Sequence, residues 1–265
     1  MVLVGEGEGI VGGKDRRAWE DWARVDPLWS VLTEPSLRFG GWDPEVFFTT
    51  GREAIDELWA RAAGHGLPQR RESGLDFGCG VGRLTRALAR YVRVVVGLDI
   101  AAPMIEQARR WNQDVAGCEF AVHTGTDLRG FDTASMDVVC SLFVLQHLAS
   151  VPAIETYLRE FLRVLRPGGV VMLQLPCYVP PPAPRVTPRE RLALRHRGTA
   201  SLRRLGIPAG FLYRRLGWTP PMPMTALPDD RVTAVAAAAG GRTVWTSEVV
   251  TDHGGVRSRY YLISR

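Results

Sequence analysis

The sequence predicts an α/β protein of the doubly wound kind, and three stretches carry that expectation. Ser73 to Thr85, SGLDFGCGVGRLT, reads as a short buried strand entering a glycine turn that opens a helix, with Leu84 and Leu88 on one helical face. Val92 to Leu98, VRVVVGL, reads as a second buried strand and ends at Asp99, which follows Gly78 by 21 positions. Met136 to Leu142, a helix from about Pro152 to Leu165 and a strand from Val170 to Leu175 repeat the alternation.

The turn in the first stretch carries the functional signal. Gly78, Gly80 and Gly82 remove side chains where a ligand must approach the backbone, as in the G-x-G-x-x-G loops that hold a pyrophosphate. Here the glycines run G-x-G-x-G, and Asp76 stands in the strand before them. An acid at that place repels a pyrophosphate, yet it suits a ligand with an ammonium group. Asp99 lies where a ribose-binding carboxylate belongs in such a unit. Two ordinary strand-end aspartates would account for the acids, but not for their order and spacing with three glycines.

Four motifs in order, LDFGCGVGRLT, GLDIAAPMIEQAR, MDVVCSLFVLQHL and LREFLRVLRPGGVVML, resemble the class I S-adenosylmethionine-dependent methyltransferases of small-molecule type, without a break from Gly74 to Leu173. The resemblance implies a Rossmann-like, seven-stranded, mostly parallel sheet whose last strand is antiparallel. It implies S-adenosyl-L-methionine as cofactor and a small-molecule acceptor methylated on O, N or C. It assigns the cofactor to Asp76, Gly78, Cys79, Gly80 and Gly82, to Asp99, Ile100 and Met104, and to Ser141 and Leu142. Relatives often have Asp or Asn beside a small residue after the third strand, to meet the adenine edge. This chain has Thr124, Gly125 and Asp127 there, and the Gly125 N–H is the plainest contact. His147, in FVLQHL after the fourth strand, is the candidate general base, against the alternative of a structural hydrogen-bonding histidine. His123, His196 and His253 lie in no recognisable site motif.

The remaining elements follow in order. Residues 1–70 read as a leader and a helical cap: Trp19 and Trp22 fall at helical spacing, DPLWSVLTEP is turn-rich, and a helix is expected from about Thr50 with Glu53 as the third residue of a capping box. Trp42, Phe47 and Phe48 are candidates for a ligand face or for simple core. Residues 71–175 form the cofactor-binding core, in which Glu119 to His123 is the third strand and Arg166-Pro-Gly-Gly169 stops the helix before the fifth. Residues 176–228 read as an inserted helical lid, with six prolines between 176 and 188 and a helix start at Thr187 to Glu190. Residues 229–265 supply a last helix ended by Gly240-Gly241 and two strands around TDHGG, closing the sheet as an antiparallel edge pair.

Composition sets limits. The chain has 265 residues, 46% of them hydrophobic, enough for one large core, and no apolar run of the roughly eighteen residues that a membrane span needs. The first fifteen residues lack the basic and apolar regions of a signal peptide, so the cytoplasm is the default expectation. Cys79, Cys118, Cys140 and Cys177 show no C-x-x-C spacing, and neither a disulfide nor a metal site is expected. Net charge is +5, but nine arginines and one glutamate between 185 and 215 give that stretch +8 and leave the rest at −3. Such a run reads as a solvated helix face, an anion site or an RNA-binding patch. An RNA methyltransferase, and a cyclase or cofactor-binding protein of the same fold, are the alternatives. Nucleic acid is not the expected partner, since no binding domain is appended and no NPPY-like tetrapeptide follows the fourth strand. A homodimer contact is the alternative role for the insert.

Overall fold

In chain order the elements are α1 (Gly13–Val25), α2 (Pro27–Val31), α3 (Pro44–Gly64), β1 (Ser73–Phe77), α4 (Arg83–Leu88), β2 (Val94–Asp99), α5 (Ala102–Trp111), β3 (Cys118–Val122), β4 (Met136–Ser141), α6 (Val151–Val164), β5 (Leu165–Tyr178), α7 (Ala209–Leu216), α8 (Asp229–Ala238), β6 (Arg242–Val250) and β7 (Arg257–Ser264). They come from a computed structural model, which describes residues 13–180, 202, 205–217, 219, 222–250 and 255–265.

Seven strands form one sheet in the order β3-β2-β1-β4-β5-β7-β6. β1 to β5 pair in parallel, and β7 runs antiparallel between β5 and β6. The last two strands therefore close one end of the sheet as an antiparallel pair, as expected, with β7 against β5 and β6 at that edge. Strands β1 and β4 are buried almost throughout, which is why they read as unbroken apolar runs.

One face of the sheet packs on α6 and α8 through Tyr157, Phe161, Leu162 and Val232. The other packs on α3 and α4 through Ile55, Leu58, Trp59, Leu84 and Leu88. Beyond the carboxyl ends of the strands, α1 and α2 lie on the start of α3 and on Val81, Ala101 and Met104. Helix α7 joins this cap, with Ala209 and Tyr213 against Trp22 and Val25. The Tyr213 hydroxyl donates to Asp26 at 3.0 Å.

Several sequence expectations change here. Helix α3 starts at Pro44, not near Thr50, because the Asp43 carboxylate accepts the Val46 N–H at 3.0 Å and Pro44 is preset for the first turn. Glu53 is thus mid-helix and caps nothing. Phe47 and Phe48 are buried core, and Trp42 donates its indole N–H to Leu32 O at 3.0 Å. The expected helix start at Thr187 to Glu190, seven of the nine arginines, His196, His253 and most of the TDHGG turn lie outside the described residues. No described helix is long and apolar enough to cross a membrane.

One buried ion sets the register of the sheet centre. The Asp137 carboxylate, 1% exposed, accepts the Glu72 and Ser73 N–H groups at 2.8 and 3.0 Å and pairs with Arg166 at 2.9 Å. Burial works to raise its pKa, but Arg166 and the two N–H donors outweigh it and hold the carboxyl below its ordinary range. Asp137→Ala is expected to lower the unfolding free energy by about 3 to 5 kcal/mol in urea titration, because Arg166 and two backbone donors lose their acceptor. A loss below about 1 kcal/mol would mean that this carboxylate does not hold β1 to β4.

Candidate functional site

Strand order reverses between β1 and β4, and a crevice opens outside their carboxyl ends, as the geometry of a doubly wound sheet dictates. The crevice, with the open solvent above it included, holds about 980 Å³ of space. Its floor is the glycine turn. Gly78 and Cys79 both donate their N–H to Leu98 O at 2.8 Å, which ties the turn to β2. Asp99 completes the tie: one oxygen accepts the Gly80 N–H at 2.9 Å and the other the Ala101 N–H at 2.8 Å. Burial raises the Asp99 carboxyl to about 6, against the pull of these donors.

Gly78 and Gly80 are both left-handed, at φ of 78° and 54°. A Cβ on Gly78 would lie 2.3 Å from Val144 Cγ1, and one on Gly80 would lie 2.5 Å from Val31 Cγ2. The space above the turn is therefore taken by the loop after β4 and by the cap, with the cavity between them.

Of the residues expected at the site, Gly78, Cys79, Gly80, Asp99, Ile100, Met104, Gly125, Leu142 and His147 line this cavity. Asp76 does not. Its carboxylate is 1% exposed and accepts the Thr85 hydroxyl at 2.6 Å, and burial pushes its pKa up to about 6. Gly82 lets α4 and α5 approach, since a Cβ there would meet Asn112 Nδ2 at 2.5 Å. Ser141 lies behind the wall and donates its hydroxyl to Phe77 O at 3.1 Å. Thr124 and Asp127 are not among the lining residues, and Asp127 pairs with Arg129 at 2.8 Å.

The cavity has walls that sequence reasoning missed. His123 takes the place expected of Thr124 or Asp127, beside Tyr157, whose hydroxyl donates to Gly125 O at 2.8 Å and lies 3.4 Å from His123 Nε2. Burial lowers the His123 pKa. Trp19 and Val31 enter from the cap, Phe143 and Val144 from the loop after β4, and Arg83 from the end of the glycine turn. The lone legible signal was the polar residue directly after β3.

His147 closes the mouth. It sits in a 3-10 turn, Leu145–His147, with Trp19 edge-on at 5.1 Å. Its Nδ1 is 2.8 Å from Pro223 O, which can only accept, so the proton is on Nδ1. Nε2 then carries the lone pair and accepts from the Gln146 amide at 3.2 Å. Burial lowers the His147 pKa, against the pull of the Pro223 carbonyl, and keeps the ring neutral near pH 7. The segment it touches is pinned twice more, since Thr225 donates its N–H to Gln146 O at 2.7 Å and its hydroxyl to Leu148 O at 2.8 Å.

Residues 75–173 match the methyltransferase domain family. The chain belongs to the class I S-adenosylmethionine-dependent methyltransferases. The chain is 34% identical over 184 residues to 27-O-demethylrifamycin SV methyltransferase of Amycolatopsis mediterranei, covering 68% of this chain and 63% of that protein. It is 33% identical over 142 residues to demethylmenaquinone methyltransferase of Tropheryma whipplei, covering 53% and 56%. The matched part thus spans less than two thirds of either curated relative. Among solved structures, magnesium protoporphyrin IX methyltransferase from Synechocystis PCC 6803 superposes with a TM-score of 0.59 at 18% identity, over 95% of this chain and 99% of that one, which establishes the shared fold.

S-adenosylmethionine is the cofactor of that family, and the cavity suits it. The turn leaves no room for side chains, Asp99 can accept further hydrogen bonds, and Arg83 is among the lining residues. If the fit of the cap onto the turn shapes this site, Gly80→Ala should cost about 1 to 3 kcal/mol from strain and overlap. Adding Val31→Ala should return part of that loss, giving a coupling of at least about 0.5 kcal/mol in a double-mutant cycle by thermal unfolding. Strict additivity would show that Val31 does not press on the turn.

Proposed function

We propose that the protein transfers a methyl group from S-adenosylmethionine to a hydroxyl oxygen of a small, largely apolar acceptor. The observation that carries this reading is His147. It lines the cavity with Nδ1 committed to a carbonyl, so that the basic lone pair is on Nε2, where the Gln146 amide meets it, among the apolar walls of Trp19, Val144 and Leu148. When bound, the cofactor supplies a sulfonium-linked, electrophilic methyl group. Asp99 accepts the ribose hydroxyls, as a strand-end carboxylate does in this type of unit. Ile100, Met104, His123 and Gly125 enclose the adenine, with Leu142 beside it, and the Gly78 to Gly80 backbone carries the amino-acid tail.

At Nε2, His147 takes the proton of the acceptor hydroxyl once the acceptor displaces the Gln146 amide from that nitrogen, while the Pro223 carbonyl keeps the ring in place. Trp19 and Leu148 exclude water and hold the acceptor oxygen in line, which supplies much of the acceleration of a methyl transfer. The relatives named for a demethylrifamycin and a demethylmenaquinone support an apolar, ring-bearing acceptor.

The test is turnover. Purified protein, S-adenosylmethionine and a panel of hydroquinones, naphthols and macrocyclic phenols should yield S-adenosylhomocysteine and an acceptor heavier by one methylene. His147→Gln should lower kcat about 100-fold or more and leave S-adenosylhomocysteine affinity within a few-fold. Product with no acceptor hydroxyl, or a variant that keeps full kcat, overturns the base role.

The ribose assignment has its own signature. The folded Asp99 pKa, raised to about 6, means that the carboxylate is the majority form only above that pH. S-adenosylhomocysteine affinity is therefore expected to fall as the pH drops through about 6. Asp99→Asn should weaken binding about 10-fold at pH 8 and remove the slope, as measured by calorimetry. A slope that persists in the variant moves the titration to Asp76 and removes Asp99 from the ribose.

A further inference from the structure

Arg83 is the charged residue of this cavity that the proposed function leaves without work. Its side chain is clamped rather than free. Gly51 of α3 lies so close that a Cβ there would sit 2.6 Å from Arg83 O and 2.7 Å from its Cγ. The guanidinium is 6.0 Å from the centre of the Phe47 ring, and Nη1 donates to Thr50 Oγ1 at 3.2 Å. The residue is 3% exposed, yet it lines the cavity. Nε has no hydrogen-bond partner among the described residues, and the guanidinium forms no ion pair there.

A buried cation without a carboxylate partner costs several kcal/mol, and a fold keeps it when a ligand supplies the missing charge. The nearest acid that acts on it, Asp76, is already engaged by Thr85. Its other electrostatic neighbours, Tyr260 and Cys140, stand on β7 and β4. They lie across β1 from Asp99, which closes β2. The cavity is thus bordered by the Asp99 carboxylate at the end of β2, by the glycine turn, and by Arg83 at the start of α4, which has no ion pair among the described residues.

We propose that Arg83 receives the carboxylate of the cofactor's amino-acid tail and, through Thr50 and Phe47, couples that charge to the seating of α3. The inference rests on the cavity being the cofactor site, and it adds the residue that distinguishes the amino-acid tail from the nucleoside. Arg83 is a binding residue in this scheme and takes no part in the proton transfer.

Calorimetry with two probes tests it: S-adenosylhomocysteine and its decarboxylated amine analogue. Wild-type protein should bind the former about 10- to 100-fold more tightly, the range expected for hydrogen bonds between charged groups. In Arg83→Gln the two should bind within about 3-fold of each other, because only the acid-bearing ligand loses its partner, and Arg83→Lys should keep part of the preference. A preference unchanged in Arg83→Gln overturns the proposal, as does a wild-type protein that does not discriminate, a result that needs no folded variant. If neither probe binds wild-type protein, the cofactor reading of the cavity falls and takes this one with it. Binding of both with equal affinity removes Arg83 alone.

Discussion

The structure depends on a place where no side chain can be. At the turn after β1, the loop following β4 comes within 2.3 Å of where a Cβ of Gly78 would stand, and α2 comes within 2.5 Å of that of Gly80. Gly97 on β2 continues the constraint, since a Cβ there would lie 2.9 Å from Phe120 and 3.0 Å from Cys79. Three layers therefore close on one another through backbone. The cavity is what remains between them, bounded by Val31 on one side and Val144 on the other. Close packing of this kind leaves the backbone of the turn as the floor of the site.

What was legible in the sequence was local. Strand β1, its glycine turn and Asp99 are written within one strand–helix–strand unit, where the ligand and the fold impose the same spacing. The parts that escaped depend on contacts between distant segments. Asp43 outcompetes Thr50 as the helix cap because Pro44 presets the first turn, a preference visible in sequence but weighed against a capping-box pattern that fits as well. Asp76 reads like Asp99, but α4 presents Thr85 to it, and a hydroxyl across a turn cannot be read from strand periodicity. His123 and Asp127 are equally polar and four residues apart. Only Tyr157, 34 residues beyond His123, shows which of the two borders the cavity. Trp19 was read correctly as part of a cap, but its place against His147 follows from tertiary packing alone.

The same distance separates the two readings of residues 176–228. Their described parts do two different things. Helix α7 is bound into the cap by Trp22 and by the Asp26–Tyr213 hydrogen bond. Residues 222–228 run past the mouth, where Pro223, Thr225 and Leu227 bond to His147, Gln146, Leu148 and Pro176. A surface embellishment would need neither set of bonds. One described part is anchored to the cap and the other to the loop that carries His147. The Pro223 carbonyl thereby fixes the tautomer of His147.

The electrostatics show what the arrangement costs. Asp76 and Asp99 both have pKa values raised to about 6 by burial. For an acid whose folded pKa lies above its unfolded value, the folded state binds the proton more tightly. Stability then falls as pH rises from the unfolded value near 3.8 to about 6, and the full cost persists above that. A shift of about two units corresponds to roughly 3 kcal/mol for the fully buried Asp76. Asp137, held low by Arg166, acts in the opposite sense and stabilises above its unfolded pKa, with that contribution lost as pH falls through the folded one. The two kinds of acid are segregated. The lowered one lies at the amino end of β4, where it locks strand register, while the raised pair and the unpaired Arg83 gather at the carboxyl ends around the glycine turn. A protein selected for stability alone would have paired Arg83 with Asp76. Here Thr85 donates to Asp76 and Thr50 of α3 accepts from Arg83, so the two charges are each held by a hydroxyl rather than by one another, and Arg83 borders the cavity.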